Sequence, residues 1–167
     1  MKTALFTTAL ALALSLSFFS CKKDTSVPVQ FRLTDKPASY DEVNVNIVGL
    51  QVKTNKDSSG WISIAVNPGM YNLLTLQNGV TTELAKGDIP NGRLKEVRFV
   101  LGDGSSVKVN GTTYPLITPS AEHSGLKVKI EKDLEETLNT FTLDFDASLS
   151  IKEENGAYKL DPVIRLK

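Results

Sequence analysis

The sequence predicts an all-β protein, an antiparallel sandwich of two sheets. Three observations carry that expectation. Beyond the N-terminal leader the chain is dominated by Val, Ile, Thr, Leu and Phe, the residues that suit a pleated, half-buried surface. Turn-forming Gly, Asn, Asp and Pro recur at short intervals and cut it into about ten short runs, the rhythm of a sandwich or barrel. The stretch Thr140–Ile151 alternates without a fault: Phe141, Leu143, Phe145, Ala147, Leu149 and Ile151 on one face, Thr140, Thr142, Asp144, Asp146, Ser148 and Ser150 on the other. A period of two marks a strand with one buried face, here long enough at roughly 3.4 Å per residue to span about 40 Å.

Taken in order, Val27–Leu33 is a first strand and Thr34-Asp35-Lys36-Pro37 a turn, since Asp and Pro both favour one. Glu42–Thr54 is a long strand whose pattern changes phase. Val43, Val45 and Ile47 share one face, Val48, Leu50 and Val52 the other, so a β-bulge is expected at Gly49. In Trp61–Val66, Ile62, Ile64 and Val66 alternate against Trp61, and either face can be the buried one. Tyr71–Leu76 reads as a short apolar strand and Asn78-Gly79 as a hairpin turn leading to Val80–Ala85. Pro90-Asn91-Gly92 turns the chain into Arg93–Leu101, with Val97, Phe99 and Leu101 inward and Glu96 and Arg98 outward. Asn110-Gly111 joins Val107–Val109 to Thr112–Leu116; the turn outweighs its overlap with a glycosylation sequon. Leu126, Val128 and Ile130 alternate with Lys127, Lys129 and Glu131, and Leu134 and Leu138 give Lys132–Asn139 some helical character, as a single turn or a loop.

Asn155-Gly156 predicts a type I′ turn, which fixes a register. Glu154 then faces Ala157, Ile151 faces Leu160, Leu149 faces Pro162, Ala147 faces Ile164 and Phe145 faces Leu166. The same count sets Asp146 opposite Arg165 and Asp144 opposite Lys167, as cross-strand ion pairs worth about 0.2–1 kcal/mol each. Pro162 falls at a non-hydrogen-bonded position, so the last strand is expected to be unpaired or bulged on its other side there.

The N-terminus carries an address. Lys2 precedes an apolar run from Ala4 to Phe19, too short for a spanning helix of about 20 residues, and Ser20-Cys21 follows. The segment resembles a bacterial lipoprotein signal with Phe18-Phe19-Ser20-Cys21 as its lipobox, although the two phenylalanines depart from the usual pattern. Residues 1–20 are then a signal peptide, 21–27 a lipidated tether and 28–167 one domain. Cys21 is the only cysteine, so it closes no internal disulfide. Several acyl chains on it would anchor the protein stably, which places it in the envelope, at the outer membrane of a Gram-negative bacterium.

Chemistry is sparse. Nineteen basic and 19 acidic residues leave no net charge and no basic footprint for nucleic acid. His123 is the only histidine, so the usual zinc sets have no ligands. There is no G-x-S-x-G elbow, P-loop or dinucleotide fingerprint. Asp144 and Asp146 are neighbours on one strand face, about 7 Å apart. They suggest a calcium site, with Asp35 or Asp103 contributing, or a hydrolase pair; pairing with Arg165 and Lys167 is favoured over both. Arg98, Lys127, His123 and Ser124, with Asp144 and Asp146, are the candidate ligand-binding residues, and the loop from Thr118 to Gly125 is a candidate binding surface.

Several segments together carry a family resemblance: Leu33-Thr34-Asp35-Lys36-Pro37, Tyr71 to Gly79, Val97-Arg98-Phe99-Val100-Leu101-Gly102, Thr118-Pro119-Ser120 with Ser124-Gly125-Leu126-Lys127, Leu143-Asp144-Phe145-Asp146-Ala147 with Ser150-Ile151, and Pro162-Val163-Ile164-Arg165. The chain resembles the domain-of-unknown-function 4382 family of bacterial envelope lipoproteins over nearly all of its mature length. Lys36 and Ala121 depart from the family's more usual Ala and Gly. The resemblance implies a transthyretin-like or related sandwich and no established activity, so it supplies no catalytic residue and no cofactor. The expected function is a lipid-anchored, non-catalytic binding domain for a glycan, a peptide or another envelope protein. An adhesive subunit assembling through strand edges is the alternative, and a hydrolase using the paired aspartates a weaker one.

Overall fold

The computed structural model describes residues 26–56, 60–118 and 126–167. Cys21 and residues 21–25 of its tether, with His123, Ser124 and the rest of the candidate loop from 119 to 125, lie outside the described residues. Thirteen strands are described, in two sheets. The smaller has the order β13 (Ile164–Leu166), β10 (Asn139–Phe145), β1 (Ser26–Thr34), β5 (Thr82–Pro90). The larger has the order β11 (Ile151–Glu154), β12 (Ala157–Leu160), β8 (Thr112–Ile117), β7 (Ser106–Val109), β2 (Glu42–Thr54), β6 (Arg93–Leu101), β9 (Leu126–Asp133). The short β3 (Ile62–Ile64) and β4 (Gly69–Asn72) pair with the other margin of β2. Phe31, Leu33, Phe99, Leu143 and Phe145 are fully buried between the sheets, and Phe31 stacks on Phe141 with ring centroids 5.4 Å apart.

The all-β sandwich agrees with the sequence reading, but the sheets are mixed rather than antiparallel. β1 runs parallel to β10, Val29 beside Asn139 through Thr34 beside Asp144, and β12 runs parallel to β8. Parallel neighbours need long connections. Here nearly the whole domain is the connection between β1 and β10. β1 starts at Ser26 with Val27 already buried, so the fold takes in the last two residues assigned to the tether.

The bulge in β2 is where the phase change put it. The register steps from Ile47 opposite Leu101 to Gly49 opposite Val100, which leaves Val48 exposed and returns Leu50 and Val52 to the same buried face as Val43, Val45 and Ile47. A Cβ on Gly49 would lie 3.2 Å from the Val100 Cβ, so the close approach suits glycine. The Asn110-Gly111 and Asn155-Gly156 turns have φ of 49° and 79°, and 53° and 77°, the type I′ conformation that only such residues adopt easily.

Several local expectations give way. Tyr71–Leu76 is not a strand: β4 ends at Asn72, whose side chain accepts from the Leu74 N–H at 3.1 Å and caps a 3₁₀ turn, Leu73–Leu76, that buries Leu73 and Leu76. Asn78-Gly79 therefore follows a helical turn instead of joining two strands. Only Ile62–Ile64 of Trp61–Val66 is strand, because Val66 moves across to bridge Ala85 of the other sheet. Residues 134–138 take the loop of the two forms left open for them, with no helical turn. The Asn139 side chain holds that loop from the inside, bonding the Glu135 N–H and C=O and the Thr137 C=O, each at 2.9 Å.

The largest correction concerns Thr140–Ile151. It is not one strand. β10 stops at Phe145, residues Ala147–Ser150 make one α-helical turn, and β11 begins at Ile151 in the other sheet. Its returning partner breaks over Asp161–Val163. Five residues on one side (146–150) thus stand against three on the other (161–163). The register of the outer half slips by two: Ile151 still meets Leu160, but Phe145 meets Ile164, and Leu143 meets Leu166. A slip of two keeps the paired side chains of β10 and β13 on their expected faces, which is why pattern alone did not exclude it. Asp144 consequently faces Arg165 rather than Lys167, and the Lys167 N–H reaches the Thr142 carbonyl at 2.9 Å.

Phe31 fixes the strength of the inter-sheet core. Phe31→Ala should lower unfolding free energy in urea by about 3–5 kcal/mol with an unchanged slope, the cost of a large cavity that a central strand cannot collapse.

Candidate functional site

The crossover between the sheets gathers three carboxylates and one lysine. β1 ends in Thr34-Asp35-Lys36, directly alongside Asp144 of β10. Asp35, Asp144 and Asp146 are only 4%, 7% and 2% exposed, so the face expected to be polar and outward lies under the surface. Burial demands partners. Asp35 Oδ1 accepts the Ala147 N–H at 2.9 Å and Oδ2 the Gln77 amide at 3.4 Å. Asp146 caps the helical turn: its Oδ1 accepts from the Leu149 N–H at 3.2 Å and the Ser148 hydroxyl at 2.7 Å. Lys36 Nζ lies 3.3 Å from Asp146 Oδ2 and 3.9 Å from Asp144 Oδ2. Asp144 Oδ1 is buried without a hydrogen-bond partner among the described residues.

The ion pairs of Asp144 and Asp146 are thus made by Lys36, not by Lys167 and Arg165. The reason is the helical turn, which takes Asp146 out of the ladder, and the parallel β1, which delivers Lys36 from 110 residues away. Among the described residues no group of three His, Cys, Asp or Glu side chains is placed to hold a metal ion, so the calcium expectation has no ligand set there. Burial pushes Asp35 up to about 6, against the Ala147 and Gln77 hydrogen bonds and with help from the charge of Asp144. Burial also works to raise Asp146, but Ser148, the Leu149 N–H and Lys36 outweigh it and hold the carboxyl below its usual range. Asp103, the other calcium candidate, lies apart in the loop after β6, where its carbonyl accepts from the Asn46 amide at 2.8 Å.

The outer face of the large sheet is arranged differently. Arg98 and Lys127 are cross-strand partners on β6 and β9. Gln51 of β2 lies on the other side of Arg98, and Ser63 of β3 beyond it. One row therefore runs Ser63, Gln51, Arg98, Lys127 across four strands. The next row along carries Lys53, Glu96 and Lys129. Trp61 lies against this face. The Arg98 guanidinium sits 4.0 Å over its ring and the Lys127 ammonium 6.0 Å from the ring centre. Arg98 Nη1 donates to Gln51 Oε1 at 3.2 Å, and Gln51 Nε2 to Ser63 Oγ at 3.4 Å. The guanidinium is thereby held flat by a ring below and an amide beside it.

Of the residues singled out from the sequence, Arg98 and Lys127 come together, and Asp144 and Asp146 come together elsewhere, around Lys36. Trp61, Gln51, Lys53 and Lys129 were missed as site residues; the alternation of Trp61 against Ile62 and Ile64 put it on the opposite face from them but did not show which face is buried. Lys36 was read only as part of a turn, because nothing local shows which strand lies beside it.

A family model described as "Domain of unknown function (DUF4382)" matches residues 26–162. The chain belongs to that family. No curated protein and no solved structure matches it. The DUF4382 match covers both sheets, from the first residue of β1 to Pro162.

Asp35 gives the crossover a pH signature. An unfolded carboxyl ionises near 3.8 and this one near 6, so between those values the native chain holds a proton that the unfolded chain has lost, and stability falls as pH rises. The loss should be on the order of 2–3 kcal/mol from pH 4 to pH 7. Asp35→Asn should flatten that window in urea titrations. Asp146 acts with opposite sign and lower down, its contribution disappearing as pH falls below about 4.

Proposed function

We propose that this protein is a lipoprotein of the Gram-negative envelope, held at the outer membrane through acylated Cys21, that presents the outer face of its large sheet as a non-catalytic binding surface. The observation that carries the reading is Arg98. Its guanidinium is pre-set by Trp61 and Gln51 and has no carboxylate within ion-pair distance among the described residues. Holding a planar donor in place before a ligand arrives lowers the ordering cost of binding, and Arg with an aromatic partner is the pair that most often dominates an interface. The buried aspartates support a non-catalytic reading from the other side. They are spent on an N-cap, a backbone amide and a lysine, not presented to a substrate.

Assembly through strand edges is the second reading. The free margin of β9 is one candidate, but it carries Lys127, Lys129 and Lys132 and an irregular left-handed Glu131 at φ 50°, devices that discourage edge pairing.

Two experiments test the proposal. Cys21→Ala should abolish metabolic labelling by radiolabelled palmitate and release the protein from the membrane fraction; unchanged labelling would refute the anchor. On an array of envelope glycans and peptides, Arg98→Ala should lose about 2 kcal/mol or more of affinity for whatever ligand the native chain retains, while its unfolding midpoint stays close to native. Binding indifferent to Arg98 would place the surface elsewhere.

A further inference from the structure

The ligand class can be argued from the same face, and the argument rests on the binding reading above. Over the whole chain acids and bases balance, 19 against 19. On this face they do not. The two outward rows of β2, β6 and β9 bring together Lys53, Arg98, Lys127 and Lys129 with one carboxylate, Glu96. Lys53, Lys127 and Lys129 form no ion pair with any of the described residues, and the only carboxylate among these rows is Glu96, directly across from Lys53 and Lys129. Four cations around one carboxylate still leave excess like charge that repels, and a bound polyanion removes that repulsion.

The spacing suits a polymer. Neighbouring strands are about 4.8 Å apart and alternate outward residues about 7 Å apart along a strand, so the four cations form a flat grid instead of a pocket for one small anion. Arg98 is fixed over Trp61 with its Nε buried and its Nη1 on Gln51, which leaves Nη2 to donate to a carboxylate, and the lysines act as point charges around it. Between the cations stand Gln51, Ser63 and Glu96, which can exchange hydrogen bonds with hydroxyls. The apolar partners on these strands, Val52, Val97 and Val128, all point inward. Among the described residues Trp61 is the one aromatic ring placed against Arg98 and Lys127.

We infer that the ligand is an acidic polysaccharide lying across β2, β6 and β9, its carboxylates taken by Arg98 and the surrounding lysines.

Trp61 is the only tryptophan in the chain, so its emission reports this face alone. The full-length protein in detergent is titrated with polygalacturonate, with uncharged dextran and with polyglutamate, at low and high salt. Polygalacturonate should shift or quench the emission. Its affinity should fall about tenfold or more in the double variant Lys127→Glu, Lys129→Glu, and fall again as salt is raised. Equal unfolding midpoints of native and variant chains show that the fold is kept. Dextran and polyglutamate should leave the emission unchanged. Dextran binding that ignores the double variant would overturn the acidic class while leaving the binding face in place. Polyglutamate binding as strong as polygalacturonate would overturn the polysaccharide in favour of an acidic peptide. No response to polygalacturonate overturns the inference outright, and the Arg98-dependent array then decides separately whether the face binds anything.

Discussion

The sandwich depends on how a single carboxylate ends a strand. Asp146 turns its side chain onto the Leu149 N–H and the Ser148 hydroxyl, and this converts what the alternating pattern would continue as strand into a turn of helix. That turn moves the chain from one sheet to the other. Its own amide is anchored in turn: the Ala147 N–H goes to Asp35, and the Asp146 N–H to the Val163 carbonyl at 2.9 Å. Ser150 closes the other side. Its hydroxyl donates to the Asp146 carbonyl and accepts from the Val163 N–H at 2.8 Å, and its carbonyl accepts from the Asp161 N–H at 2.7 Å. Few polar groups are left unpaired where both strands of the last hairpin break at once, which is what allows a buried break at all.

The same carboxylates show where sequence reasoning has its reach. Alternation, turn dipeptides and the bulge at Gly49 are local, and each identified its element, because side-chain period and backbone handedness act over a few residues. The parallel pairing of β1 with β10 is not local. It joins Thr34 to Asp144, and no turn geometry spans that separation. The environment of Asp144 and Asp146 followed from that pairing, so their burial and their partner Lys36 were invisible, whereas the inward residues Phe141, Leu143 and Phe145 were not. The helical turn was hidden for a different reason. Ala147, Leu149 and Ile151 satisfy a strand pattern by residue type, yet Leu149 ends up half exposed while Ala147 and Ser150 are buried. A four-residue turn is too short to impose its own period.

The two groups of charge also differ in kind. At the crossover one lysine serves two carboxylates, and a third sits close by with its pKa raised, so charge there is confined and matched against burial. On the outer sheet Lys127 and Lys129 are exposed and cheap to keep, Arg98 is half-buried against Trp61, and one carboxylate, Glu96, stands among them. Arg98 and Lys127 were legible as outward residues from their strand pattern alone. What assembled them into a surface was the order of β3, β2, β6 and β9, which again is set by long-range pairing.

The position of β1 has a mechanical consequence. It is hydrogen-bonded along both margins, to β10 on one side and β5 on the other, and the chain ahead of Ser26 leaves from its end. A pull on that chain runs along the strand axis. The hydrogen bonds of both ladders then share the force in shear, where an edge strand would peel off one bond after another. With Val27, Val29, Phe31 and Leu33 wedged into the core beneath it, β1 resists extraction as a unit, so traction at the N-terminus is spread over the whole small sheet.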